Sequence, residues 1–167
     1  MPKKITKNLE ENIKNYEILF SDCADIKKRR IKVGTKLKRE CYIAYIEVAL
    51  NNTEWKESAI GKLLTTLRAL PEEELISYVK ENTWDISDST PFDTIEDAAQ
   101  GMLTGDVIFF LEGYEKALKI PDQGYPGRGV YEVESEKVIR GSNEGFSESV
   151  KLNTALIRKR LRSPHVK

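Results

Sequence analysis

Few side chains in this chain are of the kinds that make and break bonds. The one histidine, His165, stands two residues from the carboxyl end beside Pro164, where a fraying terminus would hold a general base poorly. Cys23 and Cys41 have no second cysteine or histidine at the spacing of a zinc ligand pair. Two thiols do not staple a chain of 167 residues, so they read as reduced thiols of an intracellular domain. Gly124-Tyr125-Pro126-Gly127-Arg128-Gly129 is a turn-rich linker rather than a strand-to-helix phosphate loop. Neither a P-loop nor a G-x-S-x-G elbow occurs. Carboxylates are plentiful, but no motif places a pair of them. The residues argue against an enzyme and call for no metal and no cofactor.

What the chain does carry is charge in blocks. Its 27 lysines and arginines balance 27 aspartates and glutamates. Yet Lys27 to Arg39 holds eight bases (Lys27, Lys28, Arg29, Arg30, Lys32, Lys36, Lys38, Arg39) and no acid. Glu72 to Asp97 holds nine acids and one base, Lys80, and the tail is basic again at Arg158, Lys159, Arg160, Arg162 and Lys167. Such runs form solvated faces, or opposite blocks meet within the molecule or across an interface. An alternative function joins Lys27–Arg39 and Arg158–Arg162 into one nucleic-acid footprint, with Tyr42, Tyr45 or Tyr131 stacking on bases. The even charge balance and the acidic block speak against nucleic acid as the partner.

The elements that position these groups follow from periodicity. Leu9, Ile13, Tyr16 and Phe20 form one face of a helix over about 8–20. Lys28–Val33 is a weak strand ended by Gly34. Lys38–Ile46 is a stronger one, apolar on both alternating faces at Cys41-Tyr42-Ile43-Ala44-Tyr45-Ile46, as a strand covered on both sides requires. Asn51-Asn52-Thr53 supplies a cap for a helix carrying Trp55, Ala59, Ile60, Leu63, Leu64, Leu67 and Leu70, which makes the opening of an α/β unit. Pro71 restarts a helix with Glu72, Glu73 and Glu74 at its positive end.

Residues 81–92 read as a loop. Thr94 and Asp97 form a capping box for a short helix that buries Ala98, Ala99, Met102 and Leu103. Gly105–Ile120 is a hairpin turning at Glu112-Gly113, with one wet face on its second strand. A linker over 121–129 leads to the last third. The run Val107–Leu111 is far shorter than the ~20 apolar residues of a membrane span, and Met1-Pro2-Lys3-Lys4 does not open a secretory signal.

A helix from about Glu144 to Arg162 closes the chain. Phe146, Val150, Asn153, Ile157 and Leu161 recur every three or four positions, acids lead, bases follow, and Pro164 ends it. Asn153 within that stripe either lies at its margin, partly wet, or makes a fixed hydrogen-bond contact, because an unpaired buried amide costs about 1–3 kcal/mol. Arg140-Gly141 ahead of it could place a guanidinium against Glu132, Glu136 or Glu144. The expected fold is α/β, with α+β the other arrangement these elements permit. It would be a small mixed sheet with a β-hairpin, flanked by amphipathic helices and a long C-terminal helix, with residues 1–7 flexible.

The run Arg128, Glu132, Glu136, Arg140-Gly141, Glu144-Gly145-Phe146-Ser147-Glu148-Ser149, Asn153, Leu156-Ile157-Arg158-Lys159-Arg160 and Ser163-Pro164 resembles the A-subunit family of bacterial spore germinant receptors, the GerA family. That pattern reads E-x-x-x-R-G-P-x-E-G-F-x-E-S, then N-x-x-L-I-R-x-R near a proline. Tyr45-Ile46 and Gly105-Asp106-Val107 are similar to further family segments. Ser142 stands where the family has proline, and Glu47-Val48 also departs from the pattern.

The resemblance implies one soluble subdomain over 1–167, the first lobe of an A subunit, with a second lobe and transmembrane helices outside this chain. It further implies receptor assembly and signalling on the cytoplasmic (core) side of the spore inner membrane, with B and C subunits as partners. A small nutrient germinant is a further partner, for which a pocket between the hairpin and the last helix is one expected place. The motif positions it marks are Arg128, Glu136, Arg140, Gly141, Glu144, Phe146, Glu148, Asn153, Arg158 and Arg160, with Arg158 and Arg160 either docking the second lobe or fixing one helix against the sheet.

Overall fold

The computed structural model describes residues 2–49, 58–81, 91–121 and 148–164. The first helix, α1 (Leu9–Leu19), begins where Asn8 accepts the Glu11 N–H at 3.1 Å, and it buries Leu9, Ile13 and Tyr16, with Phe20 just beyond. Strand β1 (Ile26–Val33) turns at Gly34 into β2 (Arg39–Ile46), whose last six residues are all buried. A 3₁₀ turn, Glu47–Ala49, follows.

Helix α2 (Ala59–Ala69) is capped by Ser58, which accepts the Gly61 N–H at 3.2 Å. The cap expected at Asn51–Thr53, and Trp55, lie outside the described residues. Helix α3 spans Leu75–Glu81, later than Pro71, because residues 71–74 close a turn of their own with Glu74 N–H on the Pro71 carbonyl. Glu72 reaches away from the helix to accept the Lys36 N–H at 2.7 Å. Within the stretch read as a loop, Pro91–Phe92 forms a two-residue strand, β3.

Helix α4 (Ile95–Leu103) carries the expected Thr94–Asp97 box. The Asp97 N–H bonds Thr94 Oγ1 at 3.1 Å, and Ala98, Ala99, Met102 and Leu103 are buried. Thr94→Ala is expected to cost about 1 kcal/mol in urea unfolding, the usual worth of such a cap; no measurable loss would contradict it. Strands β4 (Val107–Leu111) and β5 (Ala117–Ile120) make the hairpin, with Gly113 at φ +84° in its turn.

The sheet order is β1-β2-β4-β5-β3. Every pairing among the described strands is antiparallel, so the sheet is not mixed as expected. The reason is topological: β2 and β4 are joined by an excursion over several helices that returns in the opposite sense. The overall class is nonetheless α/β. Residues alternate cleanly between two cores. Tyr42, Ala44, Ile46, Ile108 and Phe110 face α1 and α4, whereas Cys41, Ile43, Tyr45, Val107, Phe109 and Leu111 face α2 and α3.

Because helices cover both faces, β5 has no wet side: Ala117, Leu118 and Ile120 are buried, and only Lys119 is partly exposed. Residues 3–5, expected within a flexible lead-in, are instead anchored. Ile5 is buried, its N–H bonds the Asp93 carbonyl at 2.9 Å, and the Ile95 N–H bonds the Lys3 carbonyl at 2.9 Å. Buried Asn12 holds both backbone groups of Thr6, at 2.9 and 2.6 Å.

Candidate functional site

Helix α5 (Val150–Leu161) starts at Ser149, which caps the Leu152 N–H, and seats on the 3₁₀ turn and the 23–25 segment. Its buried side chains are Ala155, Leu156 and Arg158. Arg158 is 1 % exposed. Its guanidinium forks onto Asp25, Nε to Oδ2 at 2.7 Å and Nη2 to Oδ1 at 2.8 Å, while Nη1 donates to the Ser163 carbonyl at 2.9 Å. Burial works against that charge, but hydrogen bonds to Asp25 and Cys23 outweigh it and hold the guanidinium above its ordinary value.

The third donor has its acceptor because Arg162 takes a left-handed conformation, φ +44°, and folds residues 163–164 back under the helix. The Cys23 Sγ lies 3.6 Å from the Pro164 carbonyl. At the rim, Glu47 meets both Lys27 at 3.6 Å and Lys151 at 3.8 Å.

The helix is therefore turned relative to the sequence reading. Val150, Ile157 and Leu161, whose spacing predicts a core stripe, lie opposite the seat: Val150 is 77 % and Leu161 62 % exposed, and Ile157 is half-buried. Asn153 is half-buried at the edge of that outward row rather than within a core. Arg158 is consumed by Asp25 and does not face outward, whereas Arg160 is exposed and Glu148 is exposed just ahead of the cap. Arg128, Glu136, Arg140, Gly141, Glu144 and Phe146 lie outside the described residues, and with them the ion network around Arg140. Sequence reasoning missed Asp25 and Cys23, because the partner that gives them meaning is more than 130 residues away.

Part of the basic block is paired within the chain. Lys28 meets Glu17 at 3.8 Å, Arg30 forks onto Glu10, and Lys27 meets Glu47. Arg158, buried on Asp25, is not part of an exposed basic surface. The acidic 72–97 block meets the basic one at Glu72, on the backbone of Lys36. The two thiols differ: Cys23 sits at the α5 seat, whereas Cys41 is enclosed between β1 and the α2 side, where burial pushes its thiol up to about 12. Among the described residues no group of three or more His, Cys, Asp or Glu is placed to hold a metal ion. No described helix is long and apolar enough to cross a membrane.

Residues 14–167 match the family described as Bacillus/Clostridium GerA spore germination protein. The chain is 31 % identical over 166 residues to the uncharacterized membrane protein YfkQ of Bacillus subtilis (strain 168), covering 99 % of this chain and 31 % of that protein. It is 24 % identical over 165 residues to spore germination protein KA of the same strain, covering 99 % and 30 %. The chain thus spans about a third of the length of these curated relatives. Its fold is similar to the crystal structure of the N-terminal domain of the A subunit of the Bacillus megaterium spore germinant receptor GerK3. That match has a TM-score of 0.71 and 18 % identity, and covers 98 % of this chain and 58 % of that one. By sequence the chain belongs to the GerA family of spore germination proteins, and it carries the fold of a germinant receptor A subunit's N-terminal domain.

Proposed function

We propose that this chain is the first soluble lobe of a spore germinant receptor A subunit, acting without catalysis in receptor assembly and signal transmission. In this reading residues 1–167 form one unit and a second lobe and transmembrane helices belong to the same subunit. The lobe faces the spore core at the inner membrane, and its partners are that second lobe and the B and C subunits.

The observation that supports it is the outward row on α5. Val150, Ile157 and Leu161 sit at helical spacing on the face opposite the Arg158 seat, and Val150 and Leu161 are among the large apolar side chains left exposed. An apolar row on a helix that already has its own buried face is surface for another element to cover. Exposed Arg160 beside it adds a charge for register.

The test is a Val150→Asp/Leu161→Asp double variant. In the 167-residue chain it is expected to change unfolding free energy by less than about 0.5 kcal/mol, as exposed substitutions do. In the complete A subunit, expressed in spores, it is expected to abolish the nutrient-triggered response. Normal germination with the double variant would remove the assignment of this face.

A further inference from the structure

Helix α5 is attached to the body differently from the other helices. α1 sinks Leu9, Ile13 and Tyr16 into a core shared with the sheet and α4. The buried side chains of α5 are one leucine, one alanine and one arginine, and none of them belongs to either core. Among the described residues, little apolar area therefore holds α5 in place. A helix of 12 residues is marginal in water alone, so leaving the seat means melting.

The buried polar attachment is the forked Arg158–Asp25 pair, with Lys151 on Glu47 at the rim. Such a pair is demanding in geometry but small in net free energy, because both charges regain water when it opens. The left-handed Arg162 adds local strain that release would relieve. Specific geometry, small net free energy and stored strain are the makings of a local two-state element.

We propose that α5 is a reversible docking element: seated as a helix with Arg158 on Asp25, or released and unfolded, while the five-stranded sheet and the other four helices stay intact. This rests on the reading above that the α5 face is where the lobe meets its partners, and it adds which element moves. A partner that binds only the seated helix would hold Arg158 on Asp25, and one that takes the released segment would free it.

The two native thiols allow a direct test on the 167-residue chain. Cys23 lies beneath the α5 terminus, its Sγ 3.6 Å from the Pro164 carbonyl, so it reports release of the helix. Cys41 lies in β2 with its Sγ 3.3 Å from the Ile31 carbonyl, so it reports opening of the sheet. Alkylation of each by iodoacetamide is followed by mass spectrometry through the low-urea range. Cys23 is expected to react at least 100-fold faster than Cys41, at a rate almost independent of urea. Arg158→Ala is expected to speed Cys23 by tenfold or more while leaving Cys41 protected.

Equal rates with equal urea dependence in the unsubstituted chain would overturn the proposal, and so would Arg158→Ala exposing both thiols together. A fast Cys23 indifferent to Arg158→Ala would overturn it too, since that is access without release. None of these readouts involves the receptor, so this proposal and the Val150/Leu161 assignment fail separately.

Discussion

Phe110→Ala is expected to lower the unfolding free energy by about 3–5 kcal/mol, the range for emptying a large aromatic from a core. Phe110 is 1 % exposed on β4, near the middle of the sheet. It pairs with Tyr42 on one neighbouring strand and Ala117 on the other. Its ring meets Tyr16 edge-on at 5.3 Å and Tyr42 at 6.2 Å, and Tyr16 in turn meets Phe20 at 5.1 Å with the rings tilted. Removing the ring leaves a cavity between sheet and α1 that these rigid neighbours cannot close, and it forfeits the aromatic contacts. A domain of this size is stable by about 5–15 kcal/mol, so the variant sits near the folding threshold. Urea titration measures the loss. A change under about 1 kcal/mol would mean that α1 does not pack on the sheet as described.

Gly34→Ala is the second large effect, expected at about 1–3 kcal/mol from the backbone alone, with a steric contribution on top. Gly34 ends β1 at φ +90°, where a side chain is strained whatever the space. A Cβ there would stand 2.6 Å from the Glu72 Oε1 and 2.8 Å from its Cδ and Cγ. Glu72 is tied to the turn by the Lys36 N–H, which it accepts at 2.7 Å. Burial pushes its carboxyl up, but the backbone N–H groups of Glu72 itself, Lys36 and Lys38 outweigh that and hold it below the usual carboxylate range. The same turn is tied to α2 by Gly34 N–H on the Leu67 carbonyl and Thr35 N–H on the Leu70 carbonyl. A double-mutant cycle separates the two contributions: in a Glu72→Ala background, Gly34→Ala should cost only the backbone part. An unchanged cost in that background would show that the carboxylate does not pack on the turn.

Much of this architecture was legible in the residues. Leu9, Ile13, Tyr16 and Phe20 spelled out α1, Thr94 and Asp97 fixed the start of α4, and the doubly apolar β2 foretold a sheet covered on both sides. Those signals are local. Strand sense was not legible, because whether β2 and β4 run antiparallel depends on the path of everything between them. The orientation of α5 was not legible either. Val150, Ile157 and Leu161 have the period of a core stripe, and periodicity alone does not say whether a stripe meets this chain or another. What turned the helix was Arg158 finding Asp25, a pairing that no spacing announces. The family motif was readable as a pattern, but of its marked positions only Glu148, Asn153, Arg158 and Arg160 fall within the described residues, and one of these, Arg158, is buried on Asp25.

The sheet order also sets a timetable for folding. As the chain leaves the ribosome, β1 and β2 can zip into a ribbon at once, since their register runs from Val33–Arg39 at the turn out to Ile26–Ile46. That ribbon carries a strand greasy on both sides, and its other neighbour does not exist until Val107–Leu111 has been synthesised. For the whole of that interval Cys41, Tyr42, Ile43 and Ala44 lack their partner, and the nascent ribbon is exposed to improper pairing. Any truncated product ending before β4 would present the same sticky edge, and it is there that a chaperone would be needed.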